Sequence, residues 1–154
     1  MPIIRAKDAQ LDEPEKTHAV LGIYSARLFS DSGGLTQLGA FTETLPPRSK
    51  SSLRHWHATE DEMIYMLTGT VIVHEGPTSS PLHPGDSVTF KAGVPVGHYL
   101  ENISNTDATY LAIGTRADND IITYPDHDCV LHFDRTTGKR RYVTLDGEPT
   151  VSPY

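Results

Sequence analysis

With 154 residues, the chain has the length of one domain rather than two. Twenty acidic residues against thirteen Lys and Arg give a formal charge of -7, which leaves no basic footprint for a nucleic-acid backbone. Twelve Gly and eleven Pro argue against long helices, and a single Cys rules out an intrachain disulfide. No segment has the apolar length of a membrane span or a secretory leader, and the single Cys makes a reducing, cytoplasmic setting the expectation. What composition leaves over is imidazole: eight His, more than Phe and Trp together.

The opening residues carry no apolar periodicity, and 13–17 has room for one helical turn at most because of Pro14. From there apolar and polar residues alternate with a period near two, the signature of strands. Strands are expected over 20–29, 35–45, 51–57 and 63–74, the last pivoting at Gly69. Residues 76–81 read as a turn by composition, and so does Pro84-Gly85-Asp86. Further strands follow over 87–90, 98–103, 109–115, 130–133 and 141–145, while Lys139-Arg140-Arg141 reads as a solvated turn. Short strands broken by turns at this spacing predict an all-β sandwich or closed barrel. Cys129 lies in an apolar run with no adjoining Lys or Arg, as expected of a buried, unreactive thiol.

His55 and His57 flank Trp56 on an expected strand, so both imidazoles point to one side. Glu62 follows at the start of the next strand, and His98 opens a later one with Asn102 four residues on. Three imidazoles and one carboxylate can thus face a shared interior. Such a donor set suits a divalent Zn, Fe, Mn, Ni or Cu ion. Glu60 and Asp61 compete with Glu62 for the carboxylate role, but Glu62 has the better spacing to Gly69, and the other two are expected to face solvent. Asn102 shares the face of His98, which suits either a hydrogen bond that steadies a ligand or a simple turn contact. His18, His74 and His83 fall at strand ends or turns, where exposure is the default.

The run His55-Trp-His57-x4-Glu62-x6-Gly69 resembles the first cupin motif, with Ser49 in place of its leading Gly. The segment from Gly85 through Gly93 to His98 and Asn102 resembles the second, with Lys91 in place of a Pro and a loop two residues longer before His98. The tail, including Tyr124-Pro125-Asp126-His127-Asp128, is similar to that of small bacterial single-domain cupins. The resemblance implies a single-domain double-stranded β-helix, or jelly-roll barrel. Residues 1–34 would form an N-terminal arm and first strand, 35–115 the barrel core, and 116–154 a tail lying on the barrel or on a partner subunit. It implies His55, His57, Glu62 and His98 as ligands of one divalent Zn, Fe(II), Mn or Ni ion. It also implies a homodimer.

An open metal position polarises carbonyl or enolate oxygens, or admits dioxygen when the ion is Fe(II). The first expectation is therefore an enzyme acting on a small oxygen-rich metabolite by isomerase, lyase or dioxygenase chemistry. His127, between two carboxylates, is the candidate for proton transfer, and Arg48, Arg54 and Lys91 are candidates to hold a substrate anion. The alternative is a non-catalytic cupin that binds or senses a small molecule. Neither expectation calls for nucleic acid or membrane.

Overall fold

The computed structural model describes residues 2–14 and 17–154, so residues 15 and 16 of the turn expected over 13–17 lie outside it. The strands, in chain order, are β1 (Gln10–Asp12), β2 (Ser25–Leu28), β3 (Leu38–Leu45), β4 (Trp56–His57), β5 (Glu62–Thr68), β6 (Val71–Glu75) and β7 (Thr78–Leu82). They continue with β8 (Ser87–Phe90), β9 (His98–Glu101), β10 (Ala108–Thr115), β11 (Asn119–Tyr124), β12 (Cys129–Asp134) and β13 (Lys139–Val143). One α-helix, α1 (Phe29–Ser32), makes a single turn after β2. Among the described residues no helix is long and apolar enough to cross a membrane.

One layer is a six-stranded antiparallel sheet in the order β1-β2-β3-β10-β5-β8. The other consists of a four-stranded sheet, β13-β12-β11-β4, and a three-stranded one, β7-β6-β9. An isolated antiparallel bridge between His55 and His98 joins these two. There the His55 amide donates to the His98 carbonyl at 3.2 Å, and the His98 amide donates back at 2.8 Å. The layers face one another as a jelly roll, the expected all-β fold.

Inward positions follow the period-two pattern. On β10, Ala108, Tyr110 and Ala112 are buried, and on β5, Ile64 and Met66. They pack with Leu45, Val71, Val73, Leu82, Phe90 and Leu100 into one core. A second core gathers Leu21, Leu53, Ile122, Tyr124, Cys129 and Leu131 under the four-stranded sheet. Cys129 is buried there, and burial, with the charge of Asp128 adding, raises its thiol pKa, as expected of an unreactive cysteine.

Several expectations need correction. Residues 78–82 form a strand rather than a turn: β7 is a sheet edge, where Pro81 leaves no needed donor unpaired. The strand expected over 20–29 begins only at Ser25, because His18 and Gly22 close a tight turn before it with reciprocal 2.9 Å backbone bonds. The strand expected over 51–57 shrinks to two residues plus the His55 bridge. Lys139 to Arg141 begin β13 instead of turning. Residues 116–154 supply β11, β12 and β13, and Ile122 of β11 pairs with His57. The terminal Tyr154 hydroxyl accepts the Leu53 amide at 3.3 Å, so this segment packs on its own barrel.

Gly69 turns β5 into β6 with φ 75°, and a Cβ there would lie 2.6 Å from the Asp107 carbonyl oxygen and 2.8 Å from Ala108 Cα. Backbone strain and a backbone clash then add. Gly85 has φ 93° but open space around it. Gly69→Ala is expected to cost about 2–4 kcal/mol and Gly85→Ala about 1 kcal/mol, read as shifts in the denaturant midpoint.

Candidate metal centre

The His55–His98 bridge is a hydrogen-bonded antiparallel pair, so the two side chains leave the sheet on one face. His57, two residues along, shares that face. Glu62 reaches them from the opposite layer, at the first position of β5 and opposite Gly114 of β10. Its Oε2 lies 2.9 Å from His98 Nε2 and 3.7 Å from His57 Nε2. His55, Glu62 and His98 present ligand atoms all within 4.8 Å of one another. The His55 ring centroid is 5.0 Å from that of His57 and 4.9 Å from that of His98.

Neighbouring groups fix the imidazoles. His55 Nδ1 donates to the Leu53 carbonyl at 2.9 Å, with the Ser52 hydroxyl 3.2 Å away. His57 Nδ1 is bound to Asp120 Oδ2 at 2.5 Å, and Asp120 is itself held by the amide and hydroxyl of Thr59. His98 stacks on Phe90 with centroids 3.6 Å apart, and His55 tilts against Tyr124 at 5.8 Å. With Nδ1 engaged on His55 and His57, Nε2 is the free nitrogen of each, an arrangement common to metal-binding histidines. The donor set therefore fits a divalent ion.

A second group, His57, Glu60 and Asp120, also lies within 4.8 Å. Its carboxylates are already engaged. Glu60 is buried, takes Arg135 Nη2 at 2.6 Å and accepts the Ala117 amide, so it does not face solvent as the sequence suggested. Asp61 is exposed, as expected, and accepts the Ala92 amide.

Charge within the cluster is unevenly distributed. Burial, with the charges of His57 and His98 adding, lowers His55 to about 4, so its imidazole is neutral at physiological pH. Burial opposes ionisation of Glu62, but the His98 hydrogen bond and the positive potential of His57 prevail and hold it at about 2. His57 moves the other way. Burial works against its proton, yet Asp120 and Glu62 outweigh burial and raise its pKa above the ordinary value. Asp120 falls to about 2 against burial because His57 and Thr59 bond its ionised form.

Residues 41–114 match the family model of the cupin domain, just under half of the chain and the stretch that holds all four candidate ligands. The chain is a small cupin-type domain. A solved sugar phosphate isomerase of the cupin superfamily from Silicibacter pomeroyi is 29% identical, superposes with a TM-score of 0.87, and is matched over 98% of both chains. A polyketide cyclase from Streptomyces resistomycificus shares the fold at 15% identity and a TM-score of 0.63, over 76% of this chain and 80% of its own. Among curated proteins, an oxalate-binding protein of Thermotoga maritima is 36% identical over 69 residues, 45% of this chain. The match spans 54% of that relative, about half its length.

Other sequence candidates of this cupin fall elsewhere. Asn102 is 0% exposed, and its side chain serves a turn: Nδ2 donates to the Leu45 and Thr106 carbonyls, and Oδ1 accepts from the Ser104 amide and hydroxyl. It does not steady His98, so the turn contact replaces the ligand-holding role. Arg54 donates to the Gly76 and Gly97 carbonyls and to Asp126, which leaves it tied into loops rather than free for an anion. Lys91 is exposed and lines a small pocket at the mouth beside His57, Glu62 and His98. His127 is exposed at the end of the turn Pro125–His127 and lines neither that pocket nor the cavity behind the cluster. His74 is half-buried rather than exposed, bound to Glu101 at 2.9 Å and stacked on Tyr99.

Two residues were missed. Asp120 lies on a strand that Asp118-Asn119-Asp120 masked by polarity. Glu43 takes an inward position on β3 between Phe41 and Leu45 and is 8% exposed. Its place in the alternation Phe41-x-Glu43-x-Leu45 was the available signal. With the cluster it lines a cavity of about 210 Å³ between the layers. Burial, with the charge of Asp12 adding and the neighbouring Tyr110 hydroxyl opposing, pushes its carboxyl up to about 7. A raised carboxyl favours the folded state below its unfolded pKa, and that stability is lost as pH rises through the folded value. Relative to Glu43→Gln, the wild type is expected to lose up to about 3 kcal/mol between pH ~5 and ~8, checked by urea denaturation across that range.

Proposed function

We propose that this cupin is a metal-dependent isomerase of a small phosphorylated sugar. The observation that carries the reading is the convergence of His55, His98 and the Glu62 carboxylate on a cavity of about 210 Å³, a size suited to a metabolite of a few carbons, with His57 Nε2 3.7 Å from Glu62 beside them. End-to-end likeness to a solved sugar phosphate isomerase supports it. His55, His57, Glu62 and His98 would hold one divalent ion. When bound, that ion supplies a Lewis acid for carbonyl and hydroxyl oxygens of a sugar. Lys91, beside the cluster, would attract the phosphate, and Phe90 lines both the pocket at Lys91 and the cavity behind the cluster.

A second reading is kept by the match to an oxalate-binding protein: a cupin that binds a small dicarboxylate on the same donors without turning it over. Oxalate that raises the melting temperature and is recovered unchanged, together with inertness toward sugar phosphates, would favour that reading.

Elemental analysis of the protein is expected to find about one divalent metal per chain, and none in the His55→Ala/His98→Ala variant. Because Asp120 and Glu62 favour a proton on His57, metal uptake at neutral pH should release protons and weaken as pH falls. The metal-loaded protein should interconvert aldose and ketose members of a triose-to-hexose phosphate panel, followed by NMR. Lys91→Ala should raise KM by about tenfold with little change in kcat. A metal-free wild type, or one inert toward the whole panel, would sink the isomerase reading.

A further inference from the structure

The cavity behind the cluster holds a second polar pair. Glu43 of β3 and Tyr110 of β10 are direct partners in the ladder, so their side chains stand together on the inward face. Both are buried, and Glu43 Oε1 and the Tyr110 hydroxyl make no hydrogen bond of ordinary geometry among the described residues, although they stand close enough to shift one another's pKa. A buried polar group without a full hydrogen bond costs about 1–3 kcal/mol, so a pair left in this way where Tyr110 packs with Leu45, Met66 and Ile64 calls for a reason.

Position gives the pair a use. Glu43 lines the 210 Å³ cavity together with His55, Glu62 and His98. It also lines an outer cleft of about 620 Å³ formed with Asp12, Tyr24, Ala26 and Tyr154. Phe41, Glu43 and Ser51 belong to both, so they form the wall between the cleft and the candidate metal centre. The carboxyl therefore stands in a cavity shared with the metal-ligand cluster, on the strand layer opposite the three imidazoles, without being one of the ligands. Its acid-base balance near neutrality suits proton transfer in either direction.

From this geometry we propose that Glu43 is the proton-transferring residue of this cupin, with the reacting carbons bound between it and the histidine cluster. The inference rests on the isomerase reading above. In the aldose-to-ketose direction, the Glu43 carboxylate takes the proton from the carbon next to the carbonyl. That C–H pair becomes a carbon–carbon double bond, and the carbonyl π pair moves onto its oxygen, giving an enediolate. The new Glu43 carboxylic acid then protonates the former carbonyl carbon. The hydroxyl proton of the second carbon passes to the first oxygen as the new carbonyl forms. Atoms and charge balance, and no oxidant or reductant is needed. The buried Tyr110 hydroxyl supplies a neutral hydrogen bond to the same carbons' oxygens.

The test is solvent deuterium incorporation and turnover of the panel sugar phosphates by metal-loaded wild type, Glu43→Gln and Glu43→Asp. Glu43→Gln is expected to lose kcat by about 100-fold or more and to lose deuterium incorporation in parallel. Its metal content, and the thermal shift it shows with the product sugar phosphate, should match the wild type. Glu43→Asp should recover part of the rate and move the acid limb of the kcat–pH profile. A Glu43→Gln protein that exchanges and turns over like the wild type overturns the role of Glu43 and leaves the isomerase reading standing. Wild type inert toward every panel member overturns both. Loss of metal or fold in Glu43→Gln together with full activity of Glu43→Asp at an unchanged pH profile would make Glu43 structural, and would also overturn the proposal.

Discussion

The arrangement turns on one backbone contact, the reciprocal pair of hydrogen bonds between His55 and His98. It closes the gap between a four-stranded and a three-stranded sheet that, among the described residues, otherwise share no ladder. The same contact sets the site, because a hydrogen-bonded antiparallel pair sends both side chains out on one face, and the period of the strand brings His57 after them. Joining the layer and aiming the imidazoles are thus one structural event. Only the carboxylate must come from across the barrel, and Glu62 does so opposite Gly114, where no side chain stands in its way.

Around that bridge, the supports come from both cores. Tyr124 belongs to the core under the four-stranded sheet and rests against His55, while Phe90 belongs to the other and stacks on His98. Asp120, from the strand that pairs with β4, holds His57 by Nδ1. The segment after residue 116 is consequently part of the site's scaffold. Without β11, His57 would lose both its strand partner and the carboxylate that orients it. Orientation through the far nitrogen matters because an imidazole free to spin presents its lone pair in the right direction only part of the time.

The fold class and the four-residue cluster were legible because they rest on strong local signals: alternation, turn residues at fixed spacing, and imidazoles two apart on a strand. Three kinds of residue were not. Thr78 to Leu82 looked like a turn because an edge strand tolerates Pro and polar side chains that a central strand does not. Asn119 and Asp120 hid a strand because the inward position at Asp120 is filled by a carboxylate with a histidine partner instead of an apolar group. Asn102 stood in register with His98, but its amide closes the loop over residues 102–106, a job that strand-face arithmetic cannot see. Each failure comes from a polar side chain whose partner is distant in sequence or whose bonds run along the backbone.

Two carboxyl groups in one cavity are driven to opposite states by what surrounds them. Glu62 faces imidazoles, and the bond from His98 together with their positive potential overcomes burial and holds its pKa at about 2. Glu43 is surrounded by apolar side chains and a phenol, with the charge of Asp12 beyond, and burial lifts it to about 7. A pair of acids separated in this way divides labour: one is a permanent anion fit to ligate a cation, the other a group that gains and loses a proton near neutral pH. The separation is built into the two layers, because the imidazoles that depress Glu62 all leave the layer held by the His55–His98 bridge, whereas Glu43 lies in the apolar face of β3. An inward-facing carboxylate without imidazole partners is pushed by its desolvation cost toward the protonated form. The cavity thus combines a fixed negative charge at the histidine cluster with a group that titrates near neutral pH on the wall shared with the outer cleft.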